Sequence, residues 1–143
     1  MIAIASDHGG FELKEMIKAH LDERKLEYKD FGCYSKSSCD YPDYARPAAN
    51  AVANGECEKG IIICTTGIGV SITANKVPGI RCALCGDELT ARLTRLHNDA
   101  NMLALGAAIT GPLLATSITD IFLDTEFSGI ERHRNRIHKI EGT

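Results

Sequence analysis

The sequence predicts an α/β protein whose mostly parallel sheet is covered by helices on both faces. Two observations predict this fold class. Apolar runs of strand length alternate with helical patterns along the whole chain, and the runs are continuously apolar. Continuous apolar strands are typical of parallel sheets buried on both faces. The 143 residues suit one domain, 1–143, because no repeat, linker or low-complexity segment divides them.

The first part of the chain predicts two strands and two helices. Apolar runs predict strands over 1–6 and, more weakly, over 26–33. The helix between them is predicted from four apolar residues on one helical face, Leu13, Met16, Ile17 and Leu21. The next helix is predicted from small apolar residues, Ala45, Ala48, Ala49 and Val52. Pro47 is expected in or near its first turn, where proline is tolerated.

The rest of the chain continues the alternation. Strands are predicted over 60–65, 80–85 and 101–105, with a helix over about 71–76. The helix after the fourth strand is predicted from Leu89, Leu93 and Leu96. The helix after the fifth strand is predicted from Leu114, Ile118, Ile121 and Phe122. A last helix is expected over roughly 129–140.

Composition excludes several classes of protein. The net charge of −3 gives no argument for binding nucleic acid or an anionic membrane surface. No apolar run approaches the length of a membrane span and no basic leader is visible, so we expect a cytoplasmic protein. Without a secretion signal, the six cysteines are expected as reduced thiols. Cys82 and Cys85 would face opposite sides of a strand, which favours buried apolar residues over a shared metal or disulfide.

The turn after the third strand carries the strongest chemical signal. Cys64 ends an apolar run, and Thr66, Gly67 and Gly69 follow it. A phosphatase loop would need arginine at the position of Val70, and the P-loop and dinucleotide patterns fail as well. Two interpretations stay open. Cys64 is either one more buried thiol or a thiolate that moves protons while backbone amides hold an oxyanion.

Other polar residues follow strands or sit near the C-terminus. Asp7 and His8 follow the first strand and Asp87 the fourth, so with the glycine-rich turn they should share one edge of the sheet. Asp7 could equally cap a helix. His97 lies at a predicted helix C-terminus, where a histidine is favourable in any case. The four-residue spacing of Arg132 and Arg136 gives them one helical face, which suits either a phosphate or a solvated basic tail.

Together these groups suit aldose–ketose isomerisation of a sugar phosphate. The reaction needs a base for the proton next to the carbonyl and N–H donors for the enediolate. A second acid/base pair must open the sugar ring, and cations must hold the phosphate. A thiol redox protein using Cys82 and Cys85 is the alternative from another class.

The chain resembles the type B ribose-5-phosphate isomerases and the related galactose-6-phosphate and allose-6-phosphate isomerases. The likeness spans almost the whole chain, and its motifs together are highly specific. They are Ser6-Asp7-His8, Gly10 to Lys14, Asp40 to Ala45, Cys64 with Thr66 to Gly69, Ala74-Asn75-Lys76, Gly79-Ile80-Arg81 and His97 to Asn101.

The resemblance implies a three-layer Rossmann-like α/β/α sandwich with five parallel strands. It implies a homodimer or homotetramer with active sites between subunits, and neither metal nor organic cofactor. Cys64 would be the proton-transferring base beside Thr66, and His97 with Asp7 would open the ring. The residues implied to bind substrate are His8, Tyr41, Gly67, Ile68, Gly69, Val70, Ser71, Asn98, Arg132 and Arg136, the amides of 67–71 forming the anion hole. Ribose 5-phosphate is the first expected substrate.

Four positions depart from the family pattern. Thr65 replaces the usual glycine beside Cys64, Gly86 replaces a histidine, and Asn135 replaces an arginine. Ala108 stands where ribose-5-phosphate isomerases usually place a phosphate-binding arginine. This last departure keeps a hexose 6-phosphate, such as allose or galactose 6-phosphate, open as the substrate. A non-catalytic sugar-phosphate-binding protein is the remaining alternative.

Overall fold

The five strands form one parallel sheet in the computed structural model, which describes residues 1–143. In chain order they are β1 (Ile2–Ser6), β2 (Tyr28–Asp30), β3 (Lys59–Cys64), β4 (Cys82–Leu84) and β5 (Met102–Gly106). Their order across the sheet is β2-β1-β3-β5-β4, and every neighbouring pair is parallel. The predicted five-stranded parallel sheet is therefore confirmed.

Six helices cover the two faces of this sheet. They are α1 (Phe11–Glu23), α2 (Pro42–Ala53), α3 (Ile68–Asn75), α4 (Glu88–Asn98), α5 (Pro112–Asp124) and α6 (Glu131–Glu141). Buried residues of α2 and α3 form one apolar cluster with the sheet, and those of α1, α4 and α5 form the other. The layers are thus α/β/α, with α6 packed against α4. None of these helices has the length and apolar character needed to cross a membrane.

Strand β3 shows why its apolar run is continuous. Ile61 and Ile63 pack into the cluster under α1, α4 and α5, whereas Ile62 and Cys64 pack into the cluster under α2 and α3. The three isoleucines are fully buried. Each contributes roughly 1.5–3 kcal/mol of hydrophobic stabilisation, an upper estimate because the unfolded chain is itself partly compact. The end of β3, and with it Cys64, is therefore a rigid part of the fold.

The order of the strands reverses beside Cys64. From β1 the chain passes to β2 on one side, whereas β3 lies on the other side. Ligands of open parallel sheets bind at such a reversal, beyond the carboxyl ends of the strands. Ser6 pairs with Ile63 in the register of β1 and β3, so Asp7 and Cys64 follow side by side. The predicted gathering of polar residues at this edge is confirmed for these two segments.

Several element boundaries differ from the prediction. β2 spans three residues rather than 26–33 because this edge strand pairs with β1 only from Ile2 to Ile4. β4 is likewise shorter than 80–85. Pro47 lies in the second turn of α2 and not near its start, since the helix begins at Pro42. Pro47 and Asp43, whose carbonyl loses its helical partner, are both exposed, so water can replace the missing hydrogen bond.

The prediction that Leu89, Leu93 and Leu96 form the buried face of α4 is wrong. Leu89 is 62% exposed, and the buried face of the helix consists of Ala91, Thr94 and Arg95. The helix packs mainly against α5. The Arg95 guanidinium is satisfied there by the carbonyls of Ala100 at 2.6 Å and Thr125 at 3.0 Å. Two further residues predicted to be buried, Met16 of α1 and Leu114 of α5, are also exposed.

Candidate active site

Two groups of predicted site residues occur in the structure, at different ends of the sheet. The first, here called the carboxyl-edge cluster, comprises Asp7, His8, Tyr41, Cys64 and the segment 65–71. The second, here called the amino-edge cluster, comprises His97, Asn98, Arg132, His133 and Arg136.

Cys64 is the centre of the carboxyl-edge cluster. Its side chain is 5% exposed, and its Sγ accepts a hydrogen bond from the Gly67 N–H at 3.1 Å. This N–H belongs to the turn that directly follows Cys64. The turn that delivers this N–H needs glycine, because Gly67 has a φ of 78° and an added Cβ would lie 2.5 Å from Leu84 Cδ1.

Some backbone N–H groups after Cys64 donate hydrogen bonds within the chain, and others are free. α3 begins at Ile68, earlier than the predicted residue 71, so the predicted anion-binding segment is the first turn of this helix. The Ile68 N–H donates to Thr66 Oγ1 at 3.2 Å, and the Ser71 N–H donates to the Gly67 carbonyl at 3.2 Å. The amides of Gly69 and Val70 have no partner within the chain. The predicted five-amide anion site is thereby reduced to two free donors at a helix N-terminus.

Tyr41 covers the start of α3. A Cβ added to Gly69 would lie 2.6 Å from Tyr41 Cζ, so the ring rests directly on the Gly69 backbone. Tyr41 is 39% exposed, so part of this residue remains accessible to solvent. The predicted sugar-contacting tyrosine and the predicted anion-binding amides are therefore neighbours.

Asp7 and His8 follow β1 and complete this cluster. Asp7 is 6% exposed and caps the short 3-10 turn at 8–10, accepting from the Gly10 N–H at 3.1 Å. The capping role considered for Asp7 is thus real, and it uses one carboxylate oxygen. His8 Nδ1 accepts from the Cys39 N–H at 3.2 Å. A neutral His8 ring then carries its proton on Nε2, which remains available as a donor.

The amino-edge cluster surrounds a cavity of about 360 Å³. His97 and Asn98 end α4, and Arg132 and Arg136 project from α6 into the same space. The rings of His97 and His133 lie 4.5 Å apart between centroids and are tilted by 42°. The predicted phosphate-binding arginines and the predicted sugar-binding Asn98 therefore share one cavity with His97.

Sequence reasoning assigned no role to His133. It is 6% exposed, its Nδ1 lies 2.7 Å from Ser128 Oγ, and its ring packs on His97. Burial lowers the pKa of His133, and the neighbouring His97, Arg132 and Arg136 lower it further. Only burial distinguishes this histidine from the exposed basic residues around it, and burial is not visible in the spacing of α6.

The two clusters lie at opposite ends of the sheet within one chain. β3 and β5 run parallel, with Gly60 opposite Met102 and Cys64 opposite Gly106. Cys64 is at the carboxyl end of this pair, whereas His97 precedes the amino end of β5. Four residues of strand separate the ends by about 13 Å. The structure consequently does not bring His97 to Asp7 or Cys64 of the same copy.

The fold places Cys82 and Cys85 in apolar surroundings, where a thiol is less reactive. Cys82 and Cys85 pack against opposite faces of the sheet, as predicted from their spacing. Burial raises the pKa of both thiols. Since a thiol with a raised pKa is a poor nucleophile at neutral pH, this pair gives no support to a redox role.

Comparison with known proteins identifies the family. The family model described as Ribose/Galactose Isomerase matches residues 2–140. The ribose-5-phosphate isomerase B of Escherichia coli is 48% identical over 139 residues, covering 97% of this chain and 93% of that protein. The solved structure of the Clostridium thermocellum ribose-5-phosphate isomerase B is 51% identical with a TM-score of 0.96, covering 99% of this chain and 95% of the other.

A further solved structure contains a sugar phosphate. The ribose-5-phosphate isomerase B of Mycoplasma genitalium, with bound ribulose-5-phosphate, is 42% identical with a TM-score of 0.93. It covers 99% of this chain, and this chain covers 93% of it. The predicted resemblance and the predicted class of enzyme, an aldose–ketose isomerase, are confirmed. The chain belongs to the ribose/galactose isomerase family.

Proposed function

We propose that this sugar-phosphate isomerase interconverts ribose 5-phosphate and ribulose 5-phosphate through an enediolate, with Cys64 as the proton-transferring base. One observation carries the proposal: the Gly67 N–H points at Cys64 Sγ while the next free amides, Gly69 and Val70, open the same helix. A thiolate and a developing oxyanion are thus served by adjacent donors of one turn. The named ribose-5-phosphate isomerase B relatives support the choice of substrate.

The proposed reaction moves one proton between adjacent carbons. The Cys64 thiolate takes the proton from C2 of the open-chain aldose, and the electron pair moves into the carbonyl to give the enediolate. The amides of Gly69 and Val70 hold the oxyanion. The Cys64 thiol then returns its proton to C1, while the hydroxyl proton on O2 is transferred to O1. The reaction is balanced without an external oxidant, metal or organic cofactor.

The other predicted roles require a second copy of the chain. We assign ring opening to Asp7 and His97, sugar contacts to Tyr41 and Asn98, and phosphate binding to His8 with Arg132 and Arg136. Because His97 lies about 13 Å or more along the sheet from Cys64 in one copy, the amino-edge cluster must come from a partner. We therefore propose that each active site lies between subunits of a homodimer or of a larger homo-oligomer.

The role of Cys64 can be tested with a matched cysteine. Cys57 is also free, 2% exposed and part of the same apolar cluster. Cys64→Ala should lower kcat about 10³-fold and abolish exchange of the substrate C2 proton with solvent deuterium, leaving substrate affinity within a few-fold. Cys57→Ala should retain near-normal turnover and exchange. Normal turnover in Cys64→Ala would refute the assignment of the base.

Mixing two inactive variants tests the shared site. In a heterodimer of Cys64→Ala and His97→Asn, one site carries both substitutions and the other carries neither. Random reassociation of dimers should therefore restore about one quarter of wild-type activity. Each variant alone, dissociated and reassociated in the same way, serves as the control. No recovery in the mixture would mean that Cys64 and His97 do not act across an interface.

A hexose 6-phosphate is the second candidate substrate, and the surroundings of Ala108 favour testing it. Ala108 and Gly9, the neighbour of His8, border a cavity of about 250 Å³. The small side chain leaves this space open where the family pattern has an arginine. Rates on ribose, allose and galactose phosphates, each beside its free sugar, will identify the preferred substrate. A protein that binds these compounds without C2–H exchange would be the non-catalytic alternative.

A further inference from the structure

Arg81 makes three side-chain hydrogen bonds close to the amino-edge cluster. It immediately precedes β4, and its own backbone is fixed because its N–H donates to Asn101 Oδ1 at 2.9 Å and its carbonyl accepts from the Asn101 N–H at 3.0 Å. Its side chain is 18% exposed. The guanidinium therefore starts from a rigid point of the sheet.

The three guanidinium nitrogens each have a partner. Nε donates to the Asn98 carbonyl at 2.9 Å, and Nη2 donates to the Asp99 carbonyl at 2.9 Å. Nη1 donates to Glu141 Oε1 at 2.8 Å, at the last residue of α6. A planar guanidinium suits such forked binding, whereas an ammonium group cannot occupy three directed acceptors in this way. Arg81 therefore links the end of α4 to the end of α6.

The end of α4 depends on these bonds. Asp99 has a φ of 44°, in the left-handed region that a non-glycine residue rarely adopts. A cavity of about 440 Å³ borders Arg81 and Glu141, and it shares Asn98 and Ile140 with the cavity around His97. On the buried side of this turn, Arg95 Nη1 donates to Asp99 Oδ1 at 2.8 Å and to the Ala100 carbonyl at 2.6 Å. On the side of the cavities, Arg81 supplies the hydrogen bonds that hold the carbonyls of Asn98 and Asp99.

We infer that Arg81 is a positioning residue that fixes the His97–Asn98 end of α4 for ring opening of the sugar phosphate. This inference rests on the proposed function, because it takes His97 as the ring-opening group. Arg81 touches neither the candidate base nor the arginines of α6. Its loss should therefore impair ring opening more than proton transfer at carbon.

Two reactions separate these steps. Isomerisation of ribose 5-phosphate starts from a closed ring, whereas ribulose 5-phosphate is open-chain, so exchange of its C1 proton with deuterium needs only the proton-transfer base. Arg81→Lys keeps the charge but not the fork. It should lower the ratio of isomerisation to exchange about tenfold, since small misplacements of a reacting group cost one to two orders of magnitude. Arg92→Lys, at an exposed position on α4, is the control and should leave the ratio unchanged.

A second measurement reports on His97 directly. The imidazole resonance of His97, assigned by its loss in His97→Asn, should shift in Arg81→Lys and not in Arg92→Lys. An unshifted resonance, or an unchanged ratio, would overturn the inference about Arg81. If His97→Asn itself isomerises ribose 5-phosphate at the wild-type rate, the proposed role of His97 fails, and the resonance still decides whether Arg81 holds the imidazole.

Discussion

Replacing the buried Lys14 by methionine tests how the chain beside the carboxyl-edge cluster is held. Lys14 lies on the inner face of α1 and has no exposed surface. Its Nζ contacts Asp30 Oδ1 at 2.8 Å and Oδ2 at 2.9 Å, and it donates to the Cys33 carbonyl. Asp30 ends β2, so this lysine ties the edge of the sheet to the helix that follows Asp7 and His8.

The expected cost follows from what remains after the substitution. Removing one partner of a buried ion pair costs 3–5 kcal/mol because the other charge stays buried. Asp30 keeps two other partners, Lys18 Nζ at 2.9 Å and the Gly32 N–H at 2.8 Å, which places the expected cost at the lower end, about 3 kcal/mol. For 143 residues the entropy of unfolding is about 0.3 kcal/mol per kelvin, so Tm should fall by about 10 °C.

Urea and thermal unfolding of the two proteins at equal concentration measure this cost, because association alters apparent stability. Lys29→Met is the matched control, since Lys29 pairs with Glu56 at 2.8 Å on the surface and both side chains are largely exposed. It should cost only a small fraction of the loss in Lys14→Met, as exposed pairs contribute little. Equal effects of the two substitutions would refute the reasoning that burial makes the Lys14 pair important.

Two further predictions concern the two clusters. Gly9→Ala should destabilise the protein by about 1–3 kcal/mol because the new Cβ would lie 2.2 Å from Thr65 Oγ1, and this cost should largely vanish in a Thr65→Gly background. Urea unfolding of the wild type, the two single variants and the double variant measures the coupling. An unchanged cost in the Thr65→Gly background would mean that Thr65 is not the obstacle. The pKa of His133 in the folded protein is lowered by burial and by its neighbours His97, Arg132 and Arg136. Between this lowered pKa and about pH 6.5, the unfolded state therefore binds more protons than the folded state. The free energy of unfolding should consequently fall as the pH drops through this window. The urea midpoint of His133→Gln should depend less on pH across this window than that of the wild type, and parallel pH profiles would contradict the assignment.

The sequence predicts the carboxyl-edge cluster well because its determinants are local. A buried strand, a glycine-rich turn and a following helix are consecutive in the chain, and the register of a parallel sheet brings Asp7 beside Cys64. The predicted start of α3 at about residue 71 is too late, because the glycine-rich turn already contains the beginning of the helix at Ile68. The two free amides follow only from the hydrogen bonds that the other amides make.

Burial was harder to predict than position. The stripe of leucines in α4 is outward or half-buried, whereas Arg95 is inside because carbonyls and Asp99 satisfy its guanidinium. Lys14 carried a usable signal, since it falls on the same helical face as Ile17 and Leu21 and all three are buried. A charged residue in an apolar stripe indicates a buried partner, but not which carboxylate supplies it.

The separation of the two clusters has a physical basis in the fold itself. In a sheet of parallel strands joined by helices, the carboxyl edge receives helix N-termini, such as that of α3, and the amino edge receives helix C-termini, such as that of α4. The first edge therefore favours anions, and the second favours cations such as Arg81, whose guanidinium donates to the carbonyls of Asn98 and Asp99. The proposed reaction uses both edges, with the amides holding the oxyanion of the enediolate and the cations holding the phosphate. One copy presents these groups at opposite ends of its strands, so under the proposed function a complete site requires the carboxyl edge of one copy to meet the amino-edge cluster of another.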